Sequence, residues 1–140
     1  MKSFIAHVAL VATAVIAAGA VVAGPAVASS ESATSPSGAF TVSVSYPDVI
    51  VAGSTATASE SITNSSPATE TLTLTNTLVG SNGTTYTQTQ VVTLAPGETF
   101  TQSFSAKVTR SDVGSYTLTF TASDGTESAT ATANFAVVKK

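Results

Sequence analysis

From Phe40 onward, apolar and polar side chains alternate with a period of two. Phe40, Val42, Val44 and Tyr46 stand against Thr41, Ser43 and Ser45, the pattern of a strand with one buried face. Pro47-Asp48 ends this run. A second segment extends from Gly53 to Ile62 and stops at Asn64-Ser65-Ser66-Pro67. In the third, Leu72, Leu74 and Leu78 oppose Thr71, Thr73, Thr75 and Thr77, until Gly80-Ser81-Asn82-Gly83 closes it. Tyr86 to Leu94 makes a fourth, followed by Ala95-Pro96-Gly97-Glu98. In that turn Pro sets φ and Gly takes the positive-φ position after it. Phe100, Phe104, Ala106 and Val108 define the fifth run, and Tyr116, Leu118, Phe120 and Ala122 the sixth. Asp124-Gly125 is a hairpin signal leading to Ala129, Ala131, Ala133, Phe135 and Val137. Seven short strands with regular turn signals predict an all-β chain of two antiparallel sheets packed face to face. Glu60 and Gln102 fall where strict alternation buries a side chain, so a bulge or hydrogen-bonding partners must accommodate them.

The first 28 residues follow a different pattern. Lys2 precedes an apolar run from Phe4 to Ala23, then Gly24-Pro25 interrupts it and Ala26-Val27-Ala28 supplies small residues. This order reads as a helical signal peptide cut between Ala28 and Ser29, and predicts a secreted, extracellular protein. The competing reading is an uncleaved anchor, because the run approaches the ~20 residues that a bilayer core requires. Only then would the chain contact a membrane. Residues 29–38, SSESATSPSG, read as a flexible Ser-rich linker. Residues 39–140 form the predicted domain.

Composition narrows the chemistry. The chain has no Cys and no Trp, and its one His and one Met are His7 and Met1, inside the leader. A folded domain without cysteine must depend on its core alone. From Ser29 onward there are four basic and eight acidic residues, with no basic stripe for a phosphate backbone, so nucleic acid is not an expected partner. Serine and threonine account for 43 of these 112 residues.

Without His or Cys, catalysis would rest on Ser, Thr, Lys, Tyr or paired carboxylates. Asp48, Glu60, Glu70, Glu98, Asp112, Asp124 and Glu127 are scattered, no G-x-S-x-G occurs, and Lys107 lacks an activating neighbour. No catalytic residue, cofactor or metal site is expected. Calcium would take its oxygen ligands from a turn such as Asp124-Gly125-Thr126-Glu127, but a hairpin turn accounts for these residues. A Lys107–Asn134 isopeptide would compensate for absent disulfides, yet both residues fall in the outward phase of their strands. Asn64-Ser65-Ser66 and Asn82-Gly83-Thr84 match the N-glycosylation acceptor pattern, and both are read as loop sites.

Asp112-Val113-Gly114-Ser115-Tyr116-Thr117-Leu118 resembles the D-x-G-x-Y-x-C run of immunoglobulin domains, with Leu118 where the Cys would stand. The resemblance implies a tyrosine corner built on Asp112, Gly114 and Tyr116. Ile62-Thr63-Asn64-Ser65-Ser66, Leu94-Ala95-Pro96-Gly97-Glu98 and Gly114-Ser115-Tyr116-Thr117 together resemble bacterial Ig-like modules of the cell-adhesion-related, CARDB-like kind. That likeness covers about residues 40–138. It implies an immunoglobulin-like sandwich of about seven strands, working as a spacer or adhesive unit.

An Ig-like fold also implies that the third, sixth and seventh runs are neighbours in one sheet. Their outward residues, Thr73, Thr75, Thr117, Thr119, Thr121, Thr130 and Thr132, would form a hydroxyl-and-methyl array, with Tyr86 as the best exposed aromatic. Threonine is also the favoured solvent-facing strand residue, and propensity alone accounts for such an array. The expectation is a non-catalytic module for extracellular or cell-surface interaction, its partner a protein or a polysaccharide. The alternatives are a carbohydrate-binding module using the Thr-rich face, or a small secreted effector or inhibitor acting through loops such as residues 80–86.

Overall fold

The computed structural model describes residues 15–18 and 29–140. Ten strands follow one another: β1 (Val15–Ala18), β2 (Ser29–Thr34), β3 (Phe40–Tyr46), β4 (Val49–Val51), β5 (Thr55–Asn64), β6 (Glu70–Gly80), β7 (Thr85–Leu94), β8 (Glu98–Lys107), β9 (Gly114–Ser123) and β10 (Ser128–Val138). One sheet has the order β1-β8-β5-β3-β2 and the other β4-β10-β9-β6-β7. All the pairings are antiparallel except that of β4 with β10. This is an immunoglobulin-like sandwich, and the seven runs read from the alternation are its β3 and β5 to β10.

The inner faces are those the alternation marks. Phe40, Val42, Val44, Ile62, Leu72, Leu74, Leu94, Phe100 and Phe120 are buried between the sheets, where each removes its apolar surface from water. Ala129, Ala131 and Ala133 of β10 belong to the same buried cluster. Pro47 has no N–H with which to continue the β3 ladder, so the chain crosses there to the other sheet and runs parallel to β10. Ala136 N–H donates to Asp48 O at 2.9 Å, and Ala52 N–H to Val138 O at 2.9 Å, closing that side of the sandwich. On the opposite side, edge strand β7 of one sheet is followed in the chain by β8 of the other, whose outer edge carries only the four-residue β1. The turn between them is fixed by Gly97, whose φ is 78° and whose N–H donates to Asn64 O at 2.8 Å.

Three expectations are corrected. The predicted signal helix lies mostly outside the described residues, but Val15–Ala18 within it is extended, pairing with Glu98–Thr101 of β8. An open strand edge offers a row of unpaired N–H and C=O groups that any extended segment satisfies. The predicted linker is not free chain: Ser29–Thr34 pairs residue for residue with Tyr46–Thr41 of β3. Ladder bonds require backbone rather than apolar side chains, which is why its composition concealed a strand. Ala33 packs against the core, and buried Ser35 accepts from Phe40 N–H at 3.2 Å. Finally, the short β4 was not legible between Pro47 and Gly53.

Candidate functional site

Across the β10-β9-β6-β7 sheet the ladder registers align the outward threonines in rows. One row reads Thr130, Thr121, Thr75, Thr89, and the next Thr132, Thr119, Thr77, Thr87. Flanking rows are Asn134, Thr117, Val79, Thr85 and Ser128, Ser123, Thr73, Val91. Same-face neighbours recur at about 6.8 Å along a strand and about 4.8 Å between strands. Lateral hydroxyl bonds tie columns together: Thr121 Oγ1 to Thr130 Oγ1 at 2.9 Å, and Thr75 Oγ1 to Thr89 Oγ1 at 3.5 Å. Thr117 Oγ1 donates to Asn134 Oδ1 at 2.9 Å.

The structure thus brings Thr73, Thr75, Thr117, Thr119, Thr121, Thr130 and Thr132 onto one face. It adds Thr77, Thr87 and Thr89, which complete the rows and were readable from the same alternation. Tyr86 is not part of this surface. Between outward Thr85 and Thr87 it turns inward, packs against the core, and its hydroxyl donates to Gln88 Oε1 at 3.0 Å. Its exposed placement is therefore corrected, and the lattice presents no aromatic ring.

The opposite face of the sandwich is hydroxylated too. Its rows read Thr34, Thr41, Thr63, Thr99; Ser32, Ser43, Ser61, Thr101; and Ser30, Ser45, Ser59, Ser103. No charged side chain stands in these rows; beyond them the second face continues through Thr57–Ser105 to Thr55–Lys107, which brings in an exposed lysine.

At one end of the sandwich, Tyr116 Oη donates to Asp112 O at 2.6 Å and accepts from Asn82 Nδ2 at 2.9 Å. The ring stacks on Phe135 with centroids 5.2 Å apart and planes 8° from parallel. Burial, more than any other influence, pushes the phenol's pKa up. The Asp112 side chain has a separate role: its Oδ2 accepts from Thr109 N–H at 2.8 Å and Thr109 Oγ1 at 2.7 Å. That fixes the 3-10 turn Arg110–Asp112 and so holds the carbonyl that Tyr116 uses. The T-x-x-D spacing of a capping box announces this.

The hairpin acids are already occupied. Asp124 Oδ1 accepts from the N–H groups of Thr126 and Glu127 at 2.7 and 2.8 Å. Glu127 accepts from the Ser37 hydroxyl and from Ser37 N–H at 3.0 Å. These bonds hold both carboxyls below the usual carboxylate range: the Glu127 N–H foremost for Asp124, the Ser37 side chain for Glu127. Among the described residues no three acidic or imidazole or thiol groups gather as metal ligands. Lys107 and Asn134 lie on strands of different sheets. Asn64 is buried, its Nδ2 donating to Ala68 O at 2.8 Å and Leu94 O at 2.9 Å, so it is a structural amide and not a surface loop site.

Inside the sandwich a polar layer divides the core. Gln90 Nε2 donates to Gln102 Oε1 at 2.6 Å, and Gln102 Nε2 donates to Glu60 Oε2 at 2.8 Å. Hydrogen bonding, without a bulge, accommodates Glu60 and Gln102, each 1% exposed. Glu60 Oε1 and Asn76 Oδ1 are buried without a partner. Desolvation pushes the Glu60 carboxyl up to about 7, against the opposing pull of Gln102 and Asn76.

Fold and surface together define an immunoglobulin-like sandwich with hydroxyl-rich outer faces. A CARDB domain from Pyrococcus furiosus, solved in complex with di-metal ions, is 18% identical over 82% of this chain and 95% of that one, with a TM-score of 0.53. A β-glucosidase from Listeria innocua is 14% identical over 72% of this chain, with a TM-score of 0.50. A β-glucuronidase from Bacteroides uniformis is 24% identical over 66% of this chain, with a TM-score of 0.49. The chain spans only 16% and 12% of the lengths of those two enzymes. No family model matches the chain, and no curated protein does.

Proposed function

We propose that this protein is an exported, non-catalytic module that works by surface contact outside the cell, in an adhesive or structural role. The observation that carries this reading is the hydroxyl lattice on both faces of the sandwich, nearly free of charged side chains. Strand propensity accounts for threonine, but serine has no β-branch and gains nothing from it. Seven serines nonetheless fill the second face's Ser32 and Ser30 rows, Thr101 being their one threonine. Small hydroxyls, rather than β-branching, are the shared property. Charged residues make up 9% of the chain against about 25% in ordinary globular domains, so this surface meets its partner through hydrogen bonds and methyl contacts rather than ion pairing. The fold of a CARDB domain supports the same reading, and export rests on the pattern of residues 1–28.

The test is retention on intact cells of the source organism and on insoluble polysaccharides. A chain carrying Thr87→Lys and Thr132→Lys, two exposed positions of one row, should lose retention while melting as the parent does. Retention abolished by protease treatment of the cells identifies a protein partner, and retention on polysaccharide alone identifies the carbohydrate-binding alternative. Full retention of the double variant would remove the Thr face from the reading.

A further inference from the structure

Beside the polar layer lies a cavity of about 110 Å³ whose lining includes Tyr86 of β7 and Phe104 and Ala106 of β8. β1 pairs with β8 only at Glu98–Thr101, so among the described residues no strand covers the outer edge of β8 beside Phe104 and Ala106. Tyr46, Tyr86, Phe104 and Phe135 supply much of the apolar wall, while Glu60 and Asn76 supply a polar patch. Glu60 is the one charged side chain on that wall, and no basic residue lines it.

The unpartnered atoms specify the ligand. Gln102 occupies Glu60 Oε2, and Glu60 Oε1 and Asn76 Oδ1 are buried without a well-aligned partner, the Asn76 amide lying beside the Glu60 carboxyl and lowering its pKa. A protonated Glu60 carries its own donor hydrogen beside Asn76, but once the carboxyl ionises both oxygens require donors, and leaving them unpaired costs the folded chain their desolvation. A carboxylate or phosphate has none and carries the wrong charge, and a hydroxyl offers a single hydrogen. An ammonium offers three, brings the missing positive charge, and is attracted by the faces of aromatic rings. An apolar cavity of about 150 Å³ holds the six carbons of a benzene molecule, so this one, at about 110 Å³, accommodates about four non-hydrogen atoms. We infer that the cavity is a binding site for a small primary alkylammonium, its nitrogen held by Glu60 Oε1 and Asn76 Oδ1 and its short stem among the rings.

Burial raises the Glu60 carboxyl to about 7, and the ammonium binds the ionised form. Affinity therefore rises as pH is taken from 6 to 8. The other titratable groups on the wall are the phenols of Tyr46 on β3 and Tyr86 on β7, and β6 and β8 contribute none. The site lies inside the sandwich, apart from both hydroxyl faces, and stands or falls independently of the adhesive reading.

Titration of the full chain with propylammonium chloride, followed by NMR at the Leu78 and Leu118 methyl groups, tests the inference. Saturable shifts are expected that strengthen between pH 6 and pH 8, with 1-propanol at least about tenfold weaker and propionate inactive. Glu60→Gln keeps the shape and removes the charge, and should weaken propylammonium by about thirtyfold. Ala106→Leu, in the cavity wall, should fill the space and block binding. Propanol binding as tightly as propylammonium, unchanged binding by Glu60→Gln, or no saturation with the unmodified chain would each overturn the proposal. The first and last comparisons require no variant.

Discussion

Tyr116 shows how much one side chain organises. Its hydroxyl joins the carbonyl of Asp112 to the amide of Asn82, linking the turn before β9 to the loop after β6. Tyr116→Phe keeps the ring and its stacking but leaves Asp112 O without this donor. A loss of about 1 kcal/mol or more is expected in urea unfolding, and an unchanged midpoint would show that the hydroxyl contributes no stability. Gly80 lies opposite Tyr116 in the β6–β9 ladder, and a Cβ there would sit 2.6 Å from Tyr116 Cε1. Held by Phe135 and two hydrogen bonds, the ring has no room to retreat. Gly80→Ala should therefore cost about 1–3 kcal/mol as overpacking, measured in the same way. The D-x-G-x-Y run pointed to Tyr116, but Gly80 read only as the start of a turn. Its reason for being glycine lies 36 positions along the chain, across a ladder that no local pattern specifies.

Among the elements, β3 and β5 to β10 were legible because each has one dry face and one wet face, which alternation records directly. β2 was not, because an edge strand of serines satisfies its backbone while burying little. A chain without residues 29–34 should lose the β2–β3 ladder and the packing of Ala33, lowering its melting temperature by several degrees. Removal of a free linker would leave that temperature unchanged, so differential scanning calorimetry separates the two. The Thr rows illustrate a further limit. Which residues of β6, β9 and β10 face outward was readable, while β7 was passed over in the array although its alternation carried the same signal. Tyr86 was misplaced for that reason.

For the molecule as a whole, the buried carboxyl of Glu60 couples stability to pH. In the unfolded chain it titrates near 4.5, and in the folded chain near 7. Between these values the folded state holds a proton that the unfolded state releases, so stability falls as pH rises. The contribution is fully present below about 4.5 and is lost as pH passes through about 7, on the order of 3 kcal/mol in all. Urea midpoints should be higher at pH 5 than at pH 8, and Glu60→Gln should flatten that slope. Asp124 and Glu127 act in the opposite direction. Their contribution is present above the ordinary carboxylate range and lost only in acid, outside this window.

By itself the sequence determined the all-β class, the seven principal strands and the inward phase of Glu60 and Gln102, because side-chain direction in a strand repeats every two residues. It also determined that chemistry based on cysteine, or on any histidine other than His7, is closed to this chain. Only the tertiary structure decided that four strands align their threonines into rows and that Glu60, Gln102 and Gln90 meet in one layer. Only there do two buried oxygens lack donors beside a cavity. Register and sheet order are long-range properties, set by which strands pack together, and a periodicity read along one strand contains no term for them.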